Sequence, residues 1–430
     1  MPGEIYIDDL SRPILSELQK SALAYGESLT VSFNREGILQ EAKTRTGLSD
    51  FGTMDFVSRL DLLCEEWGGD RGLTGIGRLS LRNKLVLFAS TRLLVEQKIN
   101  AHPQILDEKI HAPIIVAGLP RSGTTHLLNL MAADSRLRSL PLWESYEPIA
   151  LPSEVGEETA AVASGLPGQS PRYQRCAQNW EMMQAMTPHL AAMHPMSPDH
   201  IHEELELMGP DFASYNFEWL AVSPKWRDHY YSSDQIPHYE YLKKILQLLQ
   251  WQDKQAGIGR ERWVLKCPQH MEQLDVLKKV FPDATVAITH RDPVAVITST
   301  VTMLAYGQRI GRQTVETSDL IHYWSERIEH LLRSCVRERS VWSSAQSLDV
   351  PFDVFMQDDL AMVEKIYSLA ALPMTSQVRS QLQSHLNENP RGKHGKMVYN
   401  LSEQFGVQPQ QLRERYAFYF DRFAVKAETN

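Results

Sequence analysis

Residues 113–133, PIIVAGLPRSGTTHLLNLMAA, place an apolar run, a turn containing two glycines and a helical pattern one after another. The run Ile114–Ala117 is continuous and rich in β-branched residues, which is typical of a central strand that is buried on both faces. Residues 125–133 repeat apolar side chains at helical spacing. A strand, a glycine-rich turn and a helix in this order form the context that a phosphate-binding loop requires.

Two further apolar segments predict strands of the same sheet. They are Trp263–Lys266 and Ala284–Thr289, and each is followed by a helical pattern. Because strands that alternate with helices build a parallel sheet, we predict an α/β fold, a P-loop-like three-layer domain with a central parallel sheet. Ligands of such sheets bind at the carboxyl ends of the strands.

The rest of the chain predicts helices around this domain. Residues 1–105 read as a helical N-terminal extension, or cap, and residues 106–430 as the main domain. Within the main domain we expect a helical insertion at about 152–235. Its first part, 152–172, is rich in Pro, Gly, Ser, Glu and Ala and predicts a mobile surface loop. Residues 409–423 predict an amphipathic helix.

Composition excludes several classes of protein. The formal net charge of -9 over 430 residues argues against a general nucleic-acid binder, which needs a basic face. The N-terminus lacks the features of a signal peptide, and the chain has no run of about 18 apolar residues that would span a membrane. The cysteines form no CxxC pair, so neither a zinc site nor a disulfide framework is predicted; they are Cys64, Cys176, Cys267 and Cys335. We expect a soluble protein of the reducing cytoplasm.

The turn itself carries groups that bind phosphate. Gly118 and Gly123 are five residues apart, the spacing of P-loop glycines, and they allow backbone N–H groups to surround an anion. The following helix adds the positive end of its dipole. Arg121 supplies a cation inside the loop, and the hydroxyls of Thr124 and Thr125 can donate to phosphate oxygens.

One position departs from the loops of ATP- and GTP-using proteins. Thr124 stands where those loops have Lys, and none of the apolar strands ends in an obvious Asp ligand for Mg²⁺. Because a kinase needs both groups to offset the charge on the transferred phosphoryl, a P-loop kinase is only the alternative prediction.

Two later segments are candidate anion sites as well. Arg291 follows a predicted strand directly, and Ser299 lies eight residues on, about two helical turns away. Arg291 is equally able to pair with Asp292. The segment Asn389–Lys396 holds three cations and two glycines, a composition that suits either an anion or a solvated charged loop.

Taken in this order, the three sites resemble those of the sulfotransferases that use 3'-phosphoadenosine 5'-phosphosulfate (PAPS). The likeness runs from about residue 113 to 425 and is greatest to the bacterial branch with a helical N-terminal extension. The resemblance implies a 5'-phosphosulfate loop made of Arg121, Ser122, Gly123, Thr124 and Thr125. It implies that Arg291 and Ser299 bind the 3'-phosphate. It also implies that a late loop, made of Arg391, Gly392 and Lys393, closes over this phosphate. Cytosolic animal members place Trp against adenine where this chain has His126.

The same resemblance implies the catalytic residues. In the family a Lys and a nearby His follow a strand ahead of the 3'-phosphate Arg, and Lys266 and His270 occupy such positions here. His270 would then act as general base, and Lys266 would stabilise the bridging oxygen or the sulfuryl group. The next candidates for the base lie within residues 194–204, and they are His194, His202, Glu203 and Glu204.

The predicted activity is therefore transfer of a sulfuryl group from PAPS to a hydroxyl of a small, apolar acceptor, which gives PAP and a sulfate ester. The apolar preference rests on the stretch 173–231, which is dense in aromatic residues and Met and is also compatible with plain helical core. No metal and no nucleic-acid partner are expected, and a homo-oligomer is left open. A non-catalytic nucleotide-binding regulator is the alternative from another class.

Overall fold

The computed structural model describes residues 3–260 and 262–428. A central sheet of five parallel strands has the spatial order β3-β4-β2-β5-β6, and a small parallel sheet pairs β1 with β7. The strands are β1 Glu4–Ile5, β2 Ile114–Gly118, β3 Leu137–Arg138, β4 Arg262–Lys266, β5 Thr285–His290, β6 Ser347–Pro351 and β7 Lys396–Met397.

Helices surround the sheet. In the first half of the described chain they are α1 Glu17–Glu27, α2 Arg35–Thr46, α3 Val57–Gly69, α4 Gly75–Ala101, α5 Thr124–Ala132, α6 Leu142–Tyr146, α7 Val155–Ser164, α8 Pro171–Met186, α9 Leu190–Met193, α10 Leu205–Met208, α11 Asn216–Leu220 and α12 Pro224–Ser232. In the second half they are α13 Ile236–Gln255, α14 Leu274–Val280, α15 Pro293–Gly307, α16 Thr317–Glu338, α17 Phe352–Gln357, α18 Asp359–Leu369, α19 Ser376–Glu388, α20 Leu401–Phe405, α21 Pro409–Arg415 and α22 Ala417–Arg422. Short 3₁₀ turns lie at Pro103–Asp107, Pro152–Glu154, Pro167–Gln169, Gly209–Asp211, Pro268–Glu272 and Arg339–Val341.

Strand β2 is buried on both faces, as its composition predicts. All five of its residues are buried. Because successive side chains of a strand point to opposite faces, Ile115 joins the apolar cluster on one side of the sheet and Ile114 joins the cluster on the other. The sheet therefore lies between two layers of helices, which confirms the predicted three-layer α/β fold.

The strands predicted at 263–266 and 284–289 are present with shifts of one residue at their ends. Strands β3 and β6 complete the sheet at its two edges and were not foreseen from the sequence. β3 has only two residues, and β6 carries Asp349 in its middle, so neither has the continuous apolar run that marks a central strand.

Helix α4 ties the N-terminal helices to the rest of the molecule. Near its N-terminus it packs with α2, α3 and aromatic residues of the segment 212–230 in one apolar cluster. Toward its C-terminus, Leu94, Val95 and Ile99 belong to the cluster that covers the sheet. The N-terminal helices and the helical insertion thus share buried surface.

Two local predictions need correction. Residues 155–164 form helix α7 and not a loop, because the Glu and Ala residues that made the segment look polar and small are also good helix formers. The predicted helix at 409–423 is divided at Tyr416 into α21 and α22, although its apolar side still faces the core. Among residues 3–260 and 262–428, no helix has the length and apolar character needed to cross a membrane.

Candidate active site

The turn between β2 and α5 has the backbone that its two glycines predict. A side chain at Gly118 would lie 1.9 Å from Thr289 Oγ1, so only glycine fits there. Gly123 has a φ of 86° and immediately precedes α5. Ser122 Oγ and Thr289 Oγ1 share a hydrogen bond of 2.6 Å, which fastens the loop to the end of β5. Because α5 begins at Thr124, its first amides lie at the loop without partners inside the helix and suit an anion.

Arg121 and Arg291 form one cluster at the ends of β2 and β5. Arg121 Nε donates to Ser299 Oγ at 2.9 Å, and its Nη1 donates to the carbonyl of Met193. Arg291 Nη1 donates to the carbonyl of Arg121 at 2.6 Å, across a separation of 170 residues in the chain. Ser299 Oγ in turn donates to Tyr399 OH at 2.9 Å. Three residues that the sequence analysis selected are thus in direct contact.

The Arg291 guanidinium already holds a carboxylate, that of Glu428. Its Nε and Nη2 donate to the two Glu428 oxygens at 2.7 and 2.8 Å. Backbone contacts hold Glu428 in this position: its N–H donates to Asp292 Oδ2 at 2.8 Å and its carbonyl accepts from Arg413 at 2.7 Å. Arg291 therefore does not pair with Asp292. A carboxylate bound in this bidentate way shows that the site fits an anionic group such as phosphate.

Part of the late basic loop, Asn389–Lys396, lines the same cavity. Arg391 and Gly392 line the cavity, and Gly392 has a φ of 74°. The Arg391 guanidinium donates to the Met356 carbonyl at 2.8 Å and to the Asp359 carboxylate. Lys393 lies within its own segment, where Nζ donates to the carbonyl of residue 388 at 3.1 Å.

His126 lies in the first turn of α5 and also lines the cavity. Its Nε2 lies 3.2 Å from Asp359 Oδ1, so that one carboxylate contacts both His126 and Arg391. Burial lowers the pKa of His126, against the opposing pull of Asp359. Phe352 is a second aromatic residue of this wall: it lies beneath Arg291, with 4.1 Å between the guanidinium carbon and the ring centre.

Lys266 connects the phosphate loop with a carboxylate. Its Nζ donates to Thr125 Oγ1 at 3.1 Å and to Glu203 Oε1. Thr125 and Glu203 both line the cavity. Burial raises the pKa of Glu203, against the effect of the neighbouring Lys266. Lys266 therefore contacts Thr125, which belongs to the predicted anion site, and also Glu203, which is a potential base.

His270 lies in a different environment. Its side chain is 1% exposed, and both ring nitrogens have partners: Nδ1 lies 2.9 Å from Tyr239 OH and Nε2 lies 2.7 Å from Glu204 Oε1. The other oxygen of Glu204 accepts from the backbone N–H of Lys266 at 2.8 Å. The structure thus joins His270 to Lys266 through Glu204, whereas Glu203 reaches the cavity wall.

Three histidines lie beside this centre. The ring centroids of His194 and His200 are 6.0 Å apart, and those of His194 and His202 are 5.8 Å apart. Burial, assisted by neighbouring cationic groups, lowers the pKa of His194 to about 3, that of His200 to about 4 and that of His202 as well. They are neutral imidazoles near pH 7. Within the part of the chain that the structure describes, His, Cys, Asp and Glu side chains form no group of three that could hold a metal ion.

One cavity of about 1530 Å³ lies at this centre. Its wall includes Arg121, Thr125, Glu203, Arg291 and Arg391. It continues beyond them along helices α1, α4 and α8. The sequence analysis assigned no residue of α1 or α4 to the site, whereas most of α8 belongs to the stretch 173–231 from which it predicted an apolar acceptor. Phe352 was also missed, although its place directly after strand β6 marks the carboxyl edge of a parallel sheet once that strand is known.

Comparisons with known proteins identify the fold and the family of this chain. The structure of the sulfotransferase STF1 from Mycobacterium tuberculosis H37Rv is 26% identical, with a TM-score of 0.74, and the match covers 90% of this chain and 98% of that one. The structure of the sulfotransferase STF9 from Mycobacterium avium has the same fold, with 23% identity, a TM-score of 0.79 and coverage of 94% and 99%. A search of curated proteins gave no match. The model of the Sulfotransferase family matches residues 113–376, more than half of the chain, and the chain belongs to that family.

Proposed function

We propose that the protein transfers a sulfuryl group from PAPS to a hydroxyl of an apolar small-molecule acceptor and releases PAP. The observation that carries this proposal is the contact between its two anion sites. Arg291 donates to the backbone of Arg121, and the Arg121 side chain donates to Ser299. A nucleotide with phosphates at both its 5' and 3' positions needs two such sites side by side.

The two ends of the nucleotide would bind different elements. The 5'-phosphosulfate fits the amides at the start of α5 and the hydroxyls of Thr124 and Thr125, because helix N-termini attract anions. The 3'-phosphate fits the position of the Glu428 carboxylate on Arg291, next to Ser299. The late loop, with Arg391, Gly392 and Lys393, would close over it. His126 and Phe352 are the aromatic residues available to adenine on this wall.

For the base we propose Glu203. It lines the cavity, its pKa is raised by burial, and its carboxylate contacts Lys266. A carboxylate with a raised pKa accepts a proton more readily than an ordinary one. His270, the base predicted from the sequence, is buried between Tyr239 and Glu204, and we propose that it positions Lys266 through Glu204.

In the proposed step the acceptor oxygen forms a bond to sulfur, while the bond between sulfur and the 5'-phosphate oxygen breaks. The acceptor proton passes to Glu203. Lys266, which bridges Thr125 and Glu203, stabilises the negative charge on the sulfuryl oxygens and on the leaving phosphate. The leaving group departs as PAP. The cytoplasmic location remains a prediction from the sequence.

The test uses [³⁵S]PAPS with a panel of hydroxyl acceptors, and wild type is compared with Glu203→Gln and His270→Gln. We expect Glu203→Gln to reduce kcat about 10²–10⁴-fold, the usual contribution of a general base, with unchanged PAP affinity. His270→Gln keeps hydrogen-bonding capacity and is expected to reduce kcat less and to leave the acid limb of the pH profile in place. If His270→Gln removes that limb and Glu203→Gln does not, the base is His270. If no acceptor is sulfated although PAP binds, a nucleotide-binding regulator describes the protein better.

A further inference from the structure

The cavity is larger than one ligand requires. Its volume is about 1530 Å³, whereas pockets of roughly 300–1,000 Å³ enclose a drug-sized molecule. The groups that suit the nucleotide lie at one end, around Arg121, Arg291 and Arg391. The remaining part, here called the distal cleft, is bounded by helices α1, α4 and α8 and by the C-terminal part of α15.

One part of the wall of the distal cleft is a set of adaptable apolar side chains. Met182, Met183 and Met186 of α8 contribute to it, and Met303 of α15 does as well. The unbranched, polarisable side chain of Met adjusts to the shape of a bound apolar molecule. Such a wall suits a flexible apolar ligand better than a rigid polar one.

The distal cleft is also long. The residues of helix α4 that line it include Ile76, Ser80, Asn83, Lys84 and Leu87. These positions recur at three- and four-residue intervals, so they form one stripe along the helix. From the first to the last of them the helix rises about 16 Å, at 1.5 Å per residue.

Charged side chains on this wall are neutralised by partners from the protein. Lys84 Nζ lies 2.7 Å from Glu206, and Arg312 Nη1 lies 2.8 Å from Asp70. Arg175 likewise pairs with Glu147 at 2.7 Å. Because these cations already have carboxylate partners, an uncharged ligand can bind along this wall without displacing any of these three ion pairs.

The mouth of the distal cleft is apolar too. Leu18 of α1 and Met182 of α8 line the cavity and are 45% and 57% exposed. At the other end the cleft reaches Glu203. An acceptor with its hydroxyl at Glu203 would therefore extend its apolar part along α4 and α8 toward Leu18 and Met182.

We infer that the acceptor is an uncharged, elongated amphiphile, an alcohol whose flexible hydrocarbon chain occupies the distal cleft, and that helices α1 and α4 of the N-terminal extension form half of its site. This inference rests on the proposed function and specifies its acceptor. It replaces the small acceptor expected from the sequence with an elongated one that follows α4.

The first test is a chain-length series of primary alcohols, from hexan-1-ol to dodecan-1-ol, with [³⁵S]PAPS as donor. We expect kcat/KM to rise about three- to fourfold for each added CH₂ that becomes buried. Androsterone, a rigid polycyclic alcohol, and glucose complete the panel. Faster sulfation of androsterone or glucose than of the long alcohols overturns the inference.

The second test compares two matched exposed methionines. Met182→Lys places a charge at the mouth of the cleft, and Met54→Lys places one at a residue that is 50% exposed in the loop between α2 and α3. Equilibrium dialysis of tritiated decan-1-ol against the PAP-saturated protein measures acceptor binding without turnover. We expect at least tenfold weaker binding for Met182→Lys, no change for Met54→Lys and equal PAP affinity in both. Equal decan-1-ol binding by the two variants refutes the inference, whereas failure of wild type to bind PAP refutes the proposed function instead.

Discussion

Replacing Glu428 with glutamine is expected to strengthen PAP binding. In the structure the Glu428 carboxylate accepts hydrogen bonds from Nε and Nη2 of Arg291, at 2.7 and 2.8 Å. The proposed 3'-phosphate needs the same donors, so the nucleotide must displace the carboxylate. Glutamine has nearly the same shape but no charge, and it competes less well for the guanidinium.

The expected gain is modest because the ion pair is partly exposed. The side chains of Arg291 and Glu428 are 22% and 33% exposed. Pairs of this kind contribute about 0.2–1 kcal/mol, and the bidentate geometry favours the upper end of that range. A gain of about 1 kcal/mol corresponds to roughly fivefold tighter binding.

Isothermal titration calorimetry of PAP at low ionic strength measures this gain. Glu414→Gln, at an exposed position of α21, changes the net charge equally and serves as control. Adenosine 5'-monophosphate, which lacks the 3'-phosphate, should bind both variants and wild type alike. Unchanged or weaker PAP binding by Glu428→Gln would show that Glu428 does not compete for the site.

Three further predictions concern binding, catalysis and stability. Arg291→Ala should weaken PAP binding about tenfold to a hundredfold, because it removes charge-assisted hydrogen bonds, and should affect adenosine 5'-monophosphate less in the same calorimetric titration. The pH profile of kcat/KM should fall on its acid side at a higher pH than it would for an ordinary carboxyl group. The reason is that burial raises the pKa of Glu203, and the base is active only when it is ionised. An acid limb that is unchanged in Glu203→Gln contradicts this prediction. Arg327→Met should destabilise the fold by about 3–5 kcal/mol in urea denaturation, because it leaves the fully buried carboxylates of Glu218 and Glu272 without their shared cation. A loss below about 1 kcal/mol would mean that these carboxylates take up protons at little cost.

The part of the site that could be predicted from the sequence follows from a local motif and from the parallel arrangement of the strands. Gly118, Gly123 and Arg121 belong to one strand-turn-helix unit, so their spacing alone indicates an anion-binding loop. Arg291 and Ser299 follow the next strand in the sheet, and the carboxyl ends of parallel strands meet at one edge. Their contact with Arg121 is a consequence of that topology.

The remaining part depends on contacts between distant segments. Glu428 pairs with Arg291, which lies 137 residues away in the sequence. The residues around Glu428 do not indicate this contact. Glu203 meets Lys266 because the helical insertion folds back over the end of β4, whereas His270 is near Lys266 in the sequence but contacts Tyr239 and Glu204 instead. Strand β6 was missed because Asp349 interrupts its apolar pattern, and Phe352 was missed with it.

A crystal structure of the complex with PAP tests the central claim most directly. The account predicts that the 3'-phosphate lies on Arg291 and Ser299 with the Glu428 carboxylate displaced, and that the 5'-phosphate lies on the amides at the start of α5. A nucleotide bound elsewhere, or one that leaves the Arg291–Glu428 pair intact, would contradict it.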